Sequence, residues 1–185
     1  LLGGDAVISS DNPTPPIFIA QAKELGLQTA QTLGFPTMAR AAPNSQAANS
    51  GDAMTKLVAL KAVSEAYPLR GNLQITTKQG AAPAKTRAVP AAGEAWVDAA
   101  LLDGLGLQVG DKLLLGDAEL RIGQIITTEP DRGAGFANFA PRVMVNMAGM
   151  AATGLIQPAS RVTYRLAVAG TSAGGPAADE AVQLE

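Results

Sequence analysis

The sequence predicts an α+β fold on a mixed and antiparallel sheet, and three observations carry that expectation. Twice a short β run passes straight into a short helix: Asp5–Ser10 into Pro16–Leu25, and Ala95–Val97 into a helix that closes at Leu105. Between Lys112 and Thr127, two further β runs flank Gly116-Asp117, a two-residue hairpin signal. The remaining apolar residues come in strand-length runs, none reaching the roughly 18 residues a membrane-spanning helix needs.

Taken in order, the first strand, Asp5–Ser10, is stopped by Asp11-Asn12-Pro13-Thr14-Pro15-Pro16, whose prolines cannot donate to a ladder and preset a helix start. Phe18, Ala22 and Leu25 then share one helical face, and Gly26 ends it. Leu27–Met38 follows as a strand and completes a β-α-β opening. Residues 41–52 are small and polar, which predicts a mobile hairpin loop, because little apolar surface offsets the ordering entropy. Lys56–Val63 is nearly continuous in apolar residues and suits a buried strand; Tyr67-Pro68-Leu69-Arg70-Gly71 reads as a turn. Leu73–Thr77 is a short strand. Lys78–Pro90 reads as a loop, with Lys78, Lys85 and Arg87 solvated rather than gathered into a basic patch.

The central unit runs from Glu94 to Pro130. Asp98 is placed to cap the helix that follows it, Leu101, Leu102 and Leu105 form its apolar stripe, and Gly106 offers the left-handed residue that ends it, with Leu107 packing back on Leu102. In the hairpin's second strand, Ala118–Thr127, Leu120 and Ile122 face inward and Glu119 and Arg121 face water. The loop Glu129–Pro141 is glycine-rich and holds Phe136 and Phe139, two of the four phenylalanines. Its rings either fold onto the core, the favoured expectation, or face a partner or lipid-like ligand. Arg142–Asn146 is a strand, Met147–Ala152 a short helix stopped by Gly154, and Ser160–Val168 a last strand with Val162, Tyr164 and Leu166 on one face. From Gly170 the composition is that of a linker.

The residue inventory excludes much chemistry. The net charge of −2 and pI near 5.2 leave no basic stripe for nucleic acid. There is no cysteine and no histidine, which removes disulfides, thiolate catalysis, Cys/His zinc sites and imidazole bases. Glu94 and Asp98 flank one strand end, yet a helix cap and a surface position account for them. Ser9, Ser10 and Asp11 have no base nearby. The glycines of Gly104–Gly110 follow a helix, whereas a phosphate-cradling loop must precede one. Met144, Met147 and Met150, at three-residue spacing, fit core filling better than a soft-metal surface. No catalytic residue, metal ligand or cofactor is predicted. The start at Leu1-Leu2-Gly3, without an initiator methionine, predicts a piece of a longer chain.

Several stretches together resemble the extracytoplasmic domain of MacB/FtsX-like ABC-transporter permeases, in particular the YbbP-like branch. They are Leu2–Ser10, Leu57–Val63 with Tyr67–Gly71, Gly93–Asp98, Leu105–Asp111, Glu129-Pro130-Asp131-Arg132-Gly133, Ala140–Met144 and Ala152–Pro158. The Val109-Gly110-Asp111 turn is common to such permeases; the Glu129–Gly133 and Ala152–Pro158 stretches are more specific to the branch. The resemblance covers residues 1–169 as one extracytoplasmic domain, with 170–185 a linker-like tail. It implies porter-like strand–helix units plus a smaller irregular β-rich part, on the periplasmic side of the bacterial inner membrane. It further implies a cytoplasmic ATPase subunit, a second ectodomain of the same transporter, a secreted lysophospholipase or thioesterase as partner, and an apolar or lipid-like substrate. Candidate contact residues are Phe136, Phe139, Met144, Met147, Asp131 and Arg132. The rival expectation is a free-standing protein-binding scaffold; a hydrolase built on an Asp/Glu pair comes third.

Overall fold

A computed structural model describes residues 3–43, 55–133 and 139–171. In chain order the elements are β1 (Ala6–Ser10), α1 (Pro16–Glu24), β2 (Leu27–Ala41), β3 (Thr55–Val63), β4 (Leu73–Thr76), β5 (Ala84–Thr86), β6 (Glu94–Asp98), α2 (Ala99–Leu105), β7 (Lys112–Leu115), β8 (Ala118–Thr128) and β9 (Arg142–Asn146). A 3-10 turn (Met147–Gly149) then leads into α3 (Met150–Thr153) and β10 (Thr163–Gly170). The α+β expectation holds, and the strands join one continuous mixed sheet.

Six of the strands close into a ring. β2 pairs with β3, β3 with β9, β9 with β6, β6 with β8, β8 with β7, and β7 returns to β2. Only β3–β9 and β6–β8 are parallel among these ladders. Closure requires β2 to be long: its 15 residues offer one edge to β3 and divide the other, Leu27–Gly34 going to β10 and Ala39–Ala41 to β7. Alternation along each strand sends Leu33, Leu60, Ala62, Val97, Leu113, Ile122 and Val143 into one buried cluster that fills the ring. At seven residues α2 is too short to persist alone. Its stability comes from Leu101, Leu102 and Leu105, all buried in that same cluster. It stops as expected: Gly106 has φ 63°, and the Leu107 N–H donates to the Leu102 carbonyl at 2.9 Å.

Two additions extend the ring. β4 and β5 continue from β8, so the stretch read as a plain loop over Lys78–Pro90 contains a three-residue strand, stabilised by pairing with β4 rather than by its own composition. At the other side the β-α-β opening is split: β10 inserts between β1 and β2 and runs antiparallel to both. β1 and β2 are therefore parallel but not neighbours. Ala22, Phe18 and Ile19 of α1 pack on Ile8, Leu27, Leu166 and Val168 of these strands. Leu25, the helix C-cap, lines the same hollow as Phe18 and Ala22 while remaining 36% exposed. The predicted hairpin loop lies mostly outside the described residues.

Leu101 is fully buried where α2 packs over β3, β6 and β8. Leu101→Ala is expected to cost about 2–5 kcal/mol, through lost burial plus the cavity left behind. Urea unfolding of the two proteins measures that difference.

Candidate functional site

The site begins with a lysine in the buried half of β3, Val58–Val63, where all the other residues are apolar. β3 turns Leu60 and Ala62 into the ring, so Lys61 between them points outward, onto a face covered by the turns at 67–71 and 129–133. Its side chain is only 7% exposed. A buried ammonium without partners is prohibitively costly. Lys61 has three donors and three acceptors: Glu129 Oε1 at 2.8 Å, Asp131 Oδ1 at 2.8 Å and the Tyr67 hydroxyl at 3.0 Å. The Tyr67 hydroxyl in turn donates to Asp131 Oδ1. Arg142, at the start of β9, donates from Nε to the other oxygen of Glu129 at 2.9 Å. Lys61 and Arg142 thus balance Glu129 and Asp131 in one buried group.

Two surrounding ties extend this network. Arg132 forms a fork on Asp98, at 3.1 and 2.7 Å, and Asp98 also accepts the Arg142 backbone N–H at 2.9 Å. Asp98 was expected to cap α2 with its side chain. It stands at the N-cap position but makes no capping hydrogen bond, because the two arginines hold its carboxylate. Arg70 makes the second tie, to Asp5 at 2.7 and 2.8 Å and to the Gly170 carbonyl at 2.9 Å, while the Gly170 N–H donates to Asp5. The backbone closes in as well: Gly71, at φ 80°, lies so near Pro130 that a Cβ there would stand 2.8 Å from the proline ring. Stretches near residues 5, 70, 98, 130 and 142 therefore meet in one assembly.

The electrostatics hold these groups in fixed states. Burial by itself pushes the Glu129 carboxyl upward, but Lys61 and Arg142 more than offset it and hold it below the ordinary value. Burial, reinforced by the Asp131 and Glu129 charges, drives the Tyr67 phenol far up. The Arg70 hydrogen bonds, with help from the Gly170 amide, lower Asp5. The hydrogen bond to Asp98 raises Arg132 against the opposing effect of burial. A carboxylate held ionised between two cations, as Glu129 is, and a phenol held neutral are poorly tuned for proton transfer near pH 7. The arrangement is suited to fixing geometry.

The expected contact residues do not form one patch. Asp131 and Arg132 belong to the network. Phe139 is 87% exposed, so its ring does not fold onto the core as favoured. Phe136 lies outside the described residues. Met144 is fully buried beside Trp96 on the outer face of the ring, so it offers no surface to a partner; Met147 is half-buried against the inner cluster. Lys61, Tyr67, Arg70 and Arg142 were not singled out from sequence. A lone lysine inside a buried run was the available signal, since it demands buried counter-charge. Beside the network opens a cavity of about 220 Å³, whose lining includes Gly34, Lys61, Asp131, Arg142 and Arg165.

No protein-family model matches the chain. The fold is similar to that of the periplasmic region of MacB from Actinobacillus actinomycetemcomitans, with a TM-score of 0.55 and 10% identity, covering 98% of this chain and 84% of that one. A permease-protein domain from Porphyromonas gingivalis overlays with a TM-score of 0.45 and 12% identity over 83% of this chain and 62% of that one, and the fold assignment does not rest on it. The fold is thus that of the MacB periplasmic region. In sequence the chain is 35% identical over 164 residues, 89% of its length, to the uncharacterized ABC transporter permease YbbP of Escherichia coli (strain K12). The chain is a MacB/FtsX-like permease domain of the YbbP-like branch. It spans 18% of the length of that relative.

Glu129→Gln leaves Lys61 and Arg142 buried without full counter-charge, and is expected to cost about 3–5 kcal/mol in chemical denaturation. Because the folded-state carboxyl lies below its unfolded value, the stabilisation is complete above the ordinary glutamate range, about pH 4–5, and is lost as pH falls through the lower folded value. The acid limb of the stability curve should therefore flatten in Glu129→Gln.

Proposed function

We propose that this domain is the extracytoplasmic relay of an ABC-transporter permease on the periplasmic side of the inner membrane, without catalysis of its own. ATP hydrolysis in a cytoplasmic partner subunit moves membrane helices, and the domain passes that displacement to a second ectodomain, extracting or exporting an apolar, lipid-like substrate. A secreted lysophospholipase or thioesterase is the expected downstream partner. The observation that carries the reading is the Arg70 tie: Asp5 just before β1 and Gly170 at the end of β10 are held side by side by one guanidinium. Chain continuing beyond either point leaves from the same corner. Displacement entering there reaches a closed ring through the β1–β10–β2 ladders and through the ion network behind Arg70. Exposed Phe139, with Met38 and Leu57 at 48% and 44% exposure, supplies apolar surface for a partner or substrate.

The same exposed Phe139 would serve a free-standing binding scaffold, and coupling separates the two. In the whole permease, Arg70→Ala is expected to leave basal ATP hydrolysis running while substrate release falls by about tenfold, a coupling loss near 1.4 kcal/mol. Release unchanged by that substitution overturns the relay. Phe139→Ser should keep the melting temperature and weaken capture of partner or substrate; unfolding instead would place the ring in the core.

A further inference from the structure

The cavity beside the ion network has a cause in the register of the sheet. Across β10, β2 and β3, Thr163, Gly34 and Lys61 stand in one row. Arg165 stands opposite Thr32 in the row on one side. Pro36, Ala59 and Arg142 form the row on the other. Side chains at aligned positions share a face. Gly34, at the centre of this outward layer, contributes none, and Ala59 contributes only a methyl group. The hole over Gly34 is therefore walled by Lys61, Arg142, Arg165, Thr32, Thr163 and Asp131.

The charge on these walls does not cancel. Lys61 and Arg142 are balanced by Glu129 and Asp131. Arg165, exposed at the cavity, has no ion-pair partner among the described residues, so among them one positive charge is left over there. A concave wall of protein concentrates the field of such a charge. The guanidinium offers a planar fork of donors matched to carboxylate and phosphate oxygens, and two threonine hydroxyls stand near it.

We propose that this cavity is an anion site that takes one carboxylate or phosphate group, gripped by Arg165 with Thr32 and Thr163. At about 220 Å³ it is smaller than the usual range for whole ligands, so it accommodates a headgroup or a small anion. Along the same face, one step past the Pro36–Ala59 pair, Met38 and Leu57 stand opposite each other and are exposed. They form an apolar ledge on which a tail would lie. The site does not depend on the relay role, since anion binding is read on the chain alone and coupling only in the whole permease.

Calorimetric titration of the 185-residue chain with inorganic phosphate, acetate, decanoate and uncharged decanol tests the proposal. At least one of the anions is expected to bind and decanol to bind more weakly than decanoate. Arg165→Gln is expected to weaken the anion about tenfold. Arg161→Gln, an exposed arginine outside the cavity, should change nothing, which separates the site from general surface charge. Gly34→Val fills the floor and should abolish binding. A Cβ at Gly34 would stand 3.2 Å from the Leu60 carbonyl, a tight contact to which β3 must yield by a few tenths of an ångström, so the melting temperature checks that the variant folds. Decanoate binding more tightly than acetate identifies an amphiphile headgroup as the source, and equal binding identifies a free anion. Absence of binding by all three anions, or binding that Arg165→Gln leaves unchanged, overturns the proposal.

Discussion

A lysine ammonium in the middle of a buried strand is the constraint on which the outer face of this domain depends. Lys61 cannot be left without partners where it lies. Its three donors are met by residues 6, 68 and 70 positions along the chain, so the turn at 67–71 and the stretch at 129–133 must both come to β3. Buried ion networks of this kind stabilise less than their geometry suggests, since desolvation offsets much of the attraction. The network is also tied to register: Glu129 reaches both Lys61 and Arg142 with β3 and β9 paired as they are, Ala59 beside Arg142.

The closed ring supplies the complementary half of the design. A ring has no free edge to open, and the inward residues of β2, β3, β6, β7, β8 and β9 share one core with α2. The strands that are not part of the ring, β1 and β10 beside β2, and β4 and β5 beside β8, lie on opposite flanks. The Arg70 tie binds the first of these flanks at the corner where Asp5 and Gly170 meet, next to the Lys61 network. Asp131 links the two clusters, contacting Lys61 and Tyr67 with its carboxylate while its side chain packs against Gly3. A push at that corner therefore meets connected hydrogen bonds and ion pairs rather than a loose chain end, as the proposed relay role requires.

Local patterns were legible where a residue acts on its immediate neighbours. Gly106 ends α2 and Leu107 closes back on Leu102, because a left-handed residue and an apolar contact five positions apart suffice for that motif. Gly116-Asp117 turns β7 into β8 for the same kind of reason. Asp98 went wrong at the side-chain level for the opposite reason: its position at the helix start was visible, but Arg132 and the Arg142 amide, 34 and 44 residues away, compete for the same carboxylate and win it. β5 was missed because three residues of Ala, Lys and Thr carry no signal of their own and form a strand only by pairing with β4. Phe139 looked like a core residue by its type, and only the path of the loop decided that it stays in water.

By itself the sequence determined the strand and helix segments, the absence of imidazole and thiol chemistry, and the membership of a permease family, since each follows from residue identity or short spacing. The tertiary structure alone decided that six strands close on themselves, that β10 separates β1 from β2, and that Glu129, Asp131, Arg142 and Tyr67 converge on Lys61. Each of these is a pairing across tens of residues, settled by burying charge against charge and edge against edge, and no local pattern encodes such a choice.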